Sequence, residues 1–237
     1  MTAAELLRRL FPAGCEVRRE GDLLLGTGTA AAGPVAVIGI DGGAEVGVEG
    51  ALRLARAVLE VVREHPGRPI LTLVDSRGQR MSKRDEVLGL NGYLGHLAAC
   101  VELARRSGHR ILALVHGEAV SGSYLPLGMM ADDIHAVEGA RLGVMALPAM
   151  AQVTKIPLAR LEALSRENPV LAPGLEPFLR IGAVASVWRA PLDAALAEAL
   201  ARPALPDGRA ALGRERGGRL RAEPVARRVR DEDADGP

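Results

Sequence analysis

Apolar and polar positions alternate along this 237-residue chain in two distinct periods. Val48, Leu52, Ala55, Leu59 and Val62 fall on one face at helical spacing, which predicts a helix over 48–64 that stops at His65-Pro66-Gly67. Short unbroken apolar runs bounded by turn residues predict strands at 34–40, 70–74 and 111–115. A long helix-compatible stretch covers 84–106, and a second covers 122–131. Two short strands are expected at 134–137 and 142–145, then helices after Pro148, over 157–166 and over 174–181. A last strand is expected at 184–188, before a closing helix at 191–201. Met1 to Leu10 reads as a short amphipathic helix. Strands that alternate with helices predict an α/β fold with a mostly parallel sheet.

Two of the strands run into small-residue turns that open helices. Asp75-Ser76-Arg77-Gly78-Gln79 follows the strand 70–74, and Gly117-Glu118-Ala119-Val120-Ser121-Gly122-Ser123 follows 111–115. Small residues let a ligand approach the main chain. The first N–H groups of a helix lack intrahelical partners and sit at its positive end, so each turn is a candidate oxyanion site. Tight packing alone explains such a turn equally well.

This pair of motifs resembles the crotonase superfamily and, within it, the carboxyltransferase branch, whose pattern is Asp-Thr-x-Gly-Ala, a long helix, a strand, then Gly-Glu-x-x-Ser-Gly-Gly-Ala. The wider run is similar to the gamma subunit family of biotin-independent malonate decarboxylase. It comprises Val74 to Gln79, Arg84 to Asn91, His116 to Ser123, Ala131-Asp132 and Val144 to Lys155. Gln79 stands where that pattern has a small residue, and Ser123 where it has Gly or Ala.

The resemblance implies a single-domain spiral of β-β-α units over 34–201, preceded by a helix and lead-in strands in 1–33. It implies that a beta subunit of related fold supplies the other half of an active site. The substrate would be a malonyl group on the dephospho-CoA-type arm of an acyl carrier protein, loaded by an acyl carrier protein transferase (alpha) subunit. The implied product is the acetyl thioester, made by decarboxylation through a stabilised enolate. The backbone N–H groups of Gly78, Gln79, Gly122 and Ser123 are the expected oxyanion donors, with Ser121, Glu118 and Ser76 as expected substrate contacts. No cofactor in this chain and no metal are expected. Two alternatives stay open: the alpha-type subunit of a biotin-dependent acyl-CoA carboxyltransferase, or a silent partner that only stabilises its beta subunit.

The same residues bear on other chemistry. Gly39 to Gly47 matches neither dinucleotide nor P-loop spacing. Ser121 as a nucleophile needs a histidine in reach, and Val144 to Met150 holds none. Glu118 as a general base lacks a visible second carboxylate, and a Glu118 bonded to neighbouring backbone is the expectation.

Composition narrows the partners. A formal net charge of +1 gives no bulk attraction for nucleic acid or acidic membranes. With 2% aromatics the core must be aliphatic. Cys15 and Cys100 show no metal spacing, and a reducing cytoplasm is the expected location. From 202 to 237 the chain is rich in Arg, Ala, Gly, Pro and Asp, and reads as a mobile tail.

Overall fold

The computed structural model describes residues 1–167, 172–203, 206–218 and 220–234. It opens with α1 (Ala3–Leu10) and the strands β1 (Cys15–Glu20), β2 (Leu23–Ala30) and β3 (Gly33–Val46), then α2 (Val48–Glu64) and β4 (Ile70–Gln79). Helices α3 (Lys83–Val87) and α4 (Leu90–Arg106) lead to β5 (Ile111–Val120) and a four-residue α5 (Ser121–Tyr124), which continues as a π-helical turn, Leu125–Met129. Then follow β6 (Asp133–Val137), β7 (Arg141–Gly143), α6 (Leu147–Thr154), α7 (Leu158–Glu167), α8 (Leu175–Arg180), β8 (Ser186–Trp188), α9 (Leu192–Ala201), α10 (Arg209–Glu215) and α11 (Ala222–Ala234).

All eight strands form one sheet in the order β1-β2-β3-β4-β5-β6-β8, with β7 paired to the end of β5. The first three strands are antiparallel neighbours; from β3 onward the pairs are parallel. Both faces are covered, which is why the central strands read as continuous apolar runs. Ile38, Ile40, Ile70, Val74, Ile111 and Val115 point to one core with α2 and α4. Val35, Val37, Leu71, Leu73, Leu112 and Leu114 point to the other, with α1 and α9. The two-residue strand period thus sorts one sequence run into two cores.

Several expectations change. Helix 48–64 forms at its expected bounds, but the expected helix 84–106 is two helices. Gly89, at φ +76°, turns the chain between them. Strands 70–74 and 111–115 run five residues further, through the residues expected as turns. The expected helix 122–131 is a four-residue α5 and a π turn, in which Gly128 admits the Tyr124 ring: a Cβ there would lie 2.0 Å from Cε2. Thr72 Oγ1 donates to Leu127 O at 2.5 Å and ties that turn to β4. The expected mobile tail contains α10 and α11; Arg216 donates to Leu179 O, Val184 O and Ala185 O, which anchors it to the body. Residues 204–205, 219 and 235–237 of that tail lie outside the described residues. Among the described residues, no helix is long and apolar enough to cross a membrane.

His135 on β6 is wholly buried, stacked on Trp188 at 4.7 Å between ring centroids, with Nδ1 2.9 Å from Ser186 Oγ. Nε2 has no partner among the described residues. Burial pushes its pKa down from 6.5 to about 4. The unfolded chain therefore takes up this proton near pH 6.5 and the folded chain only near pH 4, so stability falls as pH drops through that window and levels off below it. The contribution is roughly 3 kcal/mol, at up to about 1.4 kcal/mol per pH unit. Urea unfolding of wild type and His135→Phe between pH 7 and 4 checks this: the acid slope should be shallower in the variant. Parallel slopes would show that His135 does not set it.

Candidate oxyanion site

The site forms where three adjacent parallel strands lose register together. Ile40, Val74 and Val115 are side by side in β3, β4 and β5. Beyond them the ladder shifts, resuming with Ala44 beside Ser76 and Ser76 beside Ala119. Such bulges re-aim the chain at a sheet's end. In β3 the shift passes through Gly42 and Gly43, at φ +77° and +60°, with Arg77 Nε donating to Gly43 O.

The two motifs singled out in the sequence meet here. Ser76 Oγ lies 2.8 Å from Ser123 Oγ, and both residues are buried. Ser76 also contacts Ala44 O at 2.8 Å and accepts from Gly78 N–H at 3.2 Å. A hydroxyl has one proton and two lone pairs. With its proton on Ala44 O and its lone pairs on Ser123 and Gly78, Ser76 holds the two turns together. Gly78, at φ +120°, packs on the second turn, where a Cβ would lie 3.1 Å from Ser121 Cβ. Ser121 itself has φ +58°, an uncommon conformation for a residue with a side chain. No histidine hydrogen-bonds to Ser121 among the described residues.

Of the four expected donors, two are engaged within the chain. Gly78 N–H is on Ser76 Oγ, and Gly122 N–H is on the Gln79 side-chain Oε1 at 2.9 Å. Gln79 is placed by its strand pairing with Val46, and Ser123 lies in the opening turn of α5. Gln79 and Gly122 both line a groove of about 430 Å3, whose other walls include Leu90, Leu94, Leu125 and Pro126 and the polar Glu86 and Asn91.

Contrary to the expectation of a Glu118 bonded to neighbouring backbone, its carboxylate is engaged elsewhere. The carboxylate pairs with the exposed Arg141, Oε1 to Nη2 at 2.5 Å, because β7 places Arg141 directly beside Glu118. Its backbone N–H donates instead to Asp75 Oδ1 at 2.8 Å. The Asp75 carboxyl lies against Gly117, where a Cβ would come within 2.2 Å of Oδ1.

Two groupings were invisible in the sequence. Asp41, Asp75 and His116 follow the aligned Ile40, Val74 and Val115, and one ligand atom from each lies within 4.8 Å of the others. They are the residues that could hold a divalent ion, although Asp41 already pairs with Arg19 at 2.6 Å and Asp75 with Glu118 N–H. Burial lowers the His116 pKa, and the two carboxylates oppose that shift. The second grouping fixes the segment after Gln79. Arg80 grips the buried Asp85 with Nε–Oδ2 at 2.6 Å and Nη2–Oδ1 at 2.9 Å, while Ser82 Oγ and Val48 N–H donate to the same carboxylate. These donors hold the Asp85 carboxyl well below the usual carboxylate range.

Similarity to known proteins follows the same geometry. The sequence pattern of the malonate decarboxylase gamma subunit family matches residues 42–233. The malonyl-S-ACP:biotin-protein carboxyltransferase MADD of Malonomonas rubra is 34% identical over 209 residues, which cover 79% of this chain and 70% of that protein. Among solved structures, a Pseudomonas malonate decarboxylase hetero-tetramer in complex with coenzyme A superposes with a TM-score of 0.79 at 25% identity, covering 96% of this chain and 97% of that one. The Pseudomonas MdcD-MdcE hetero-dimer gives 0.74 at 27% identity, with the same coverage. Transcarboxylase 12S, at 19% identity and TM-score 0.70 over 87% of this chain and 44% of that one, shares the fold. The fold is thus the crotonase-type α/β spiral of carboxyltransferases.

Proposed function

The chain belongs to the malonate decarboxylase gamma subunit family, and from that premise we propose that it contributes one half of an active site that decarboxylates a malonyl thioester, the other half coming from a beta subunit. The observation that carries this reading is the meeting of the two strand-end turns, Ser76 on Ser123 and Gln79 on Gly122, at the wall of an open groove. The MdcD-MdcE pairing in the Pseudomonas structure supports a partner of the same kind.

In the proposed reaction, the bond between the malonyl α-carbon and its carboxylate breaks and CO2 leaves. The electron pair moves into the thioester as an enolate, which a proton at the α-carbon converts to the acetyl thioester. Charge develops on the thioester oxygen, and fixed N–H donors aimed at it lower the barrier; one such donor is worth roughly 10²–10³ in rate. The role of this chain is to fix those donors. The buried Ser76–Ser123 contact and the Arg80–Asp85 clamp hold the backbone next to Gln79 and Gly122. The substrate arm is that of an acyl carrier protein, loaded by an alpha subunit, and the site of action is the cytoplasm.

A second reading is favoured by the Malonomonas rubra relative, whose name describes transfer to a biotin protein. An assay of CO2 and acetyl thioester formation by the purified gamma–beta pair, with malonyl-loaded carrier protein, separates the two. Activity should survive avidin and a chelator unchanged. Loss to avidin would move the assignment to biotin-dependent transfer. Loss to the chelator would mean that the reaction needs a metal ion, for which Asp41, Asp75 and His116 are the candidate ligands.

A further inference from the structure

The Gln79 side chain departs from the pattern the chain otherwise follows, and it stands at the groove. Its Oε1 accepts from Gly122 N–H at 2.9 Å. That contact fixes the amide's orientation, because a backbone N–H requires an acceptor and the Nε2 end offers only protons. Nε2 is therefore turned away from Gly122, and no hydrogen bond engages it among the described residues. Both residues line the groove of about 430 Å3, whose other walls are apolar at Leu90, Leu94, Leu125 and Pro126 and polar at Glu86 and Asn91. The position is held from both sides: strand pairing sets Gln79 beside Val46, and the Arg80–Asp85 clamp fixes the next residue.

We propose that the Gln79 side-chain amide is a substrate-contacting donor of this site, taking the hydrogen bond of Gly122 on Oε1 and presenting Nε2–H to the thioester oxygen in the groove. This rests on the malonyl-thioester reading above. A backbone donor bonded to a neutral amide polarises it, which strengthens the amide's own N–H as a donor. The Gly122 donor thus acts at one remove, through a side chain long enough to reach into the groove. A small residue at position 79 would leave the bare Gly122 N–H for the substrate. Gln79 shifts the point of contact from the main chain to a side chain.

Three variants of the gamma–beta pair test this. Gln79→Glu keeps the shape and the acceptor for Gly122 N–H but removes the donor and adds charge where charge must develop. Its kcat should fall 10²-fold or more, and should recover in part as pH is lowered and the new carboxyl regains a proton. Gln79→Ala frees Gly122 N–H but loses Nε2, and kcat should fall at least tenfold with KM changed less. Gln79→Met fills the same space without a donor and should behave as Gln79→Ala if the amide, rather than bulk, matters. Thermal midpoints and partner binding of all three are measured alongside. Gln79→Ala at or above the wild-type rate would show that the amide only blocks Gly122 and would overturn the proposal. So would Gln79→Glu at the wild-type rate with no pH signature. If the wild-type pair forms no acetyl thioester, the malonyl-thioester reading fails and this inference falls with it; Gln79 variants at wild-type rates in an active pair overturn this inference alone.

Discussion

Gly122→Val will lower malonyl-thioester decarboxylation by the assembled pair roughly 10²–10³-fold, the range for losing an oxyanion donor, while leaving the chain folded and bound to its partner. The reason is space rather than backbone strain. Gly122 has no positive φ, but a Cβ there would lie 2.9 Å from Gln79 Oε1, 3.4 Å from its Cδ and 3.6 Å from Leu94 Cδ1. A branched side chain must push the Gln79 amide off its hydrogen bond and enter the groove between them. Gly139 provides the opposite case, with open space around it but φ at +86°. Gly139→Val costs stability through the strained conformation of a β-branched residue. The rate per folded complex should stay near wild type. Initial rates normalised to folded complex compare the two variants. Equal rates for Gly122→Val and wild type would show that this turn is not the oxyanion site.

What the sequence disclosed, and what it hid, divides along one physical line. Helix α2 was legible to its ends because one face repeats every 3.6 residues and Pro66 stops it. The first halves of β3, β4 and β5 were legible because strands covered on both faces are continuously apolar. Their second halves were not, since Asp75 to Gln79 and His116 to Val120 have the composition of turns and become strand only because the neighbouring strands offer partners. Gly89, Gly92 and Gly95 look alike in sequence, yet Gly89 alone takes a positive φ and divides the helix while the other two lie inside α4. The composition of the C-terminal segment hid the docking of Arg216 on three carbonyls, which is a tertiary contact.

The site follows the same division. The small residues of both motifs were identifiable from spacing, because a backbone that must be approached closely leaves a local signature. Their convergence depends on strand register, and no local pattern encodes it. The Asp41–Asp75–His116 grouping, the Gln79–Gly122 hydrogen bond and the Arg80–Asp85 clamp each join chemistry to position; the first links three strands and the second links β4 to α5. The one local hint was Gln79 itself, a long polar residue where the resembling pattern has a small one.

The central claim is that this chain holds half of a two-chain site. Its groove is open on one side, and exposed apolar side chains occur beside its walls in sequence: Met81 at 76% exposure, Val87 at 77% and, on the wall itself, Leu125 at 57%. Apolar side chains left exposed beside a candidate site fit the hydrophobic character of obligate hetero-complex interfaces. The direct measurement is acetyl-thioester formation from malonyl-loaded carrier protein by the purified chain alone, by the purified beta subunit alone, and by the two together at equal concentration. Neither chain alone should turn over above background, and mixing should give full activity. Turnover by the isolated chain equal to that of the mixture would contradict the claim.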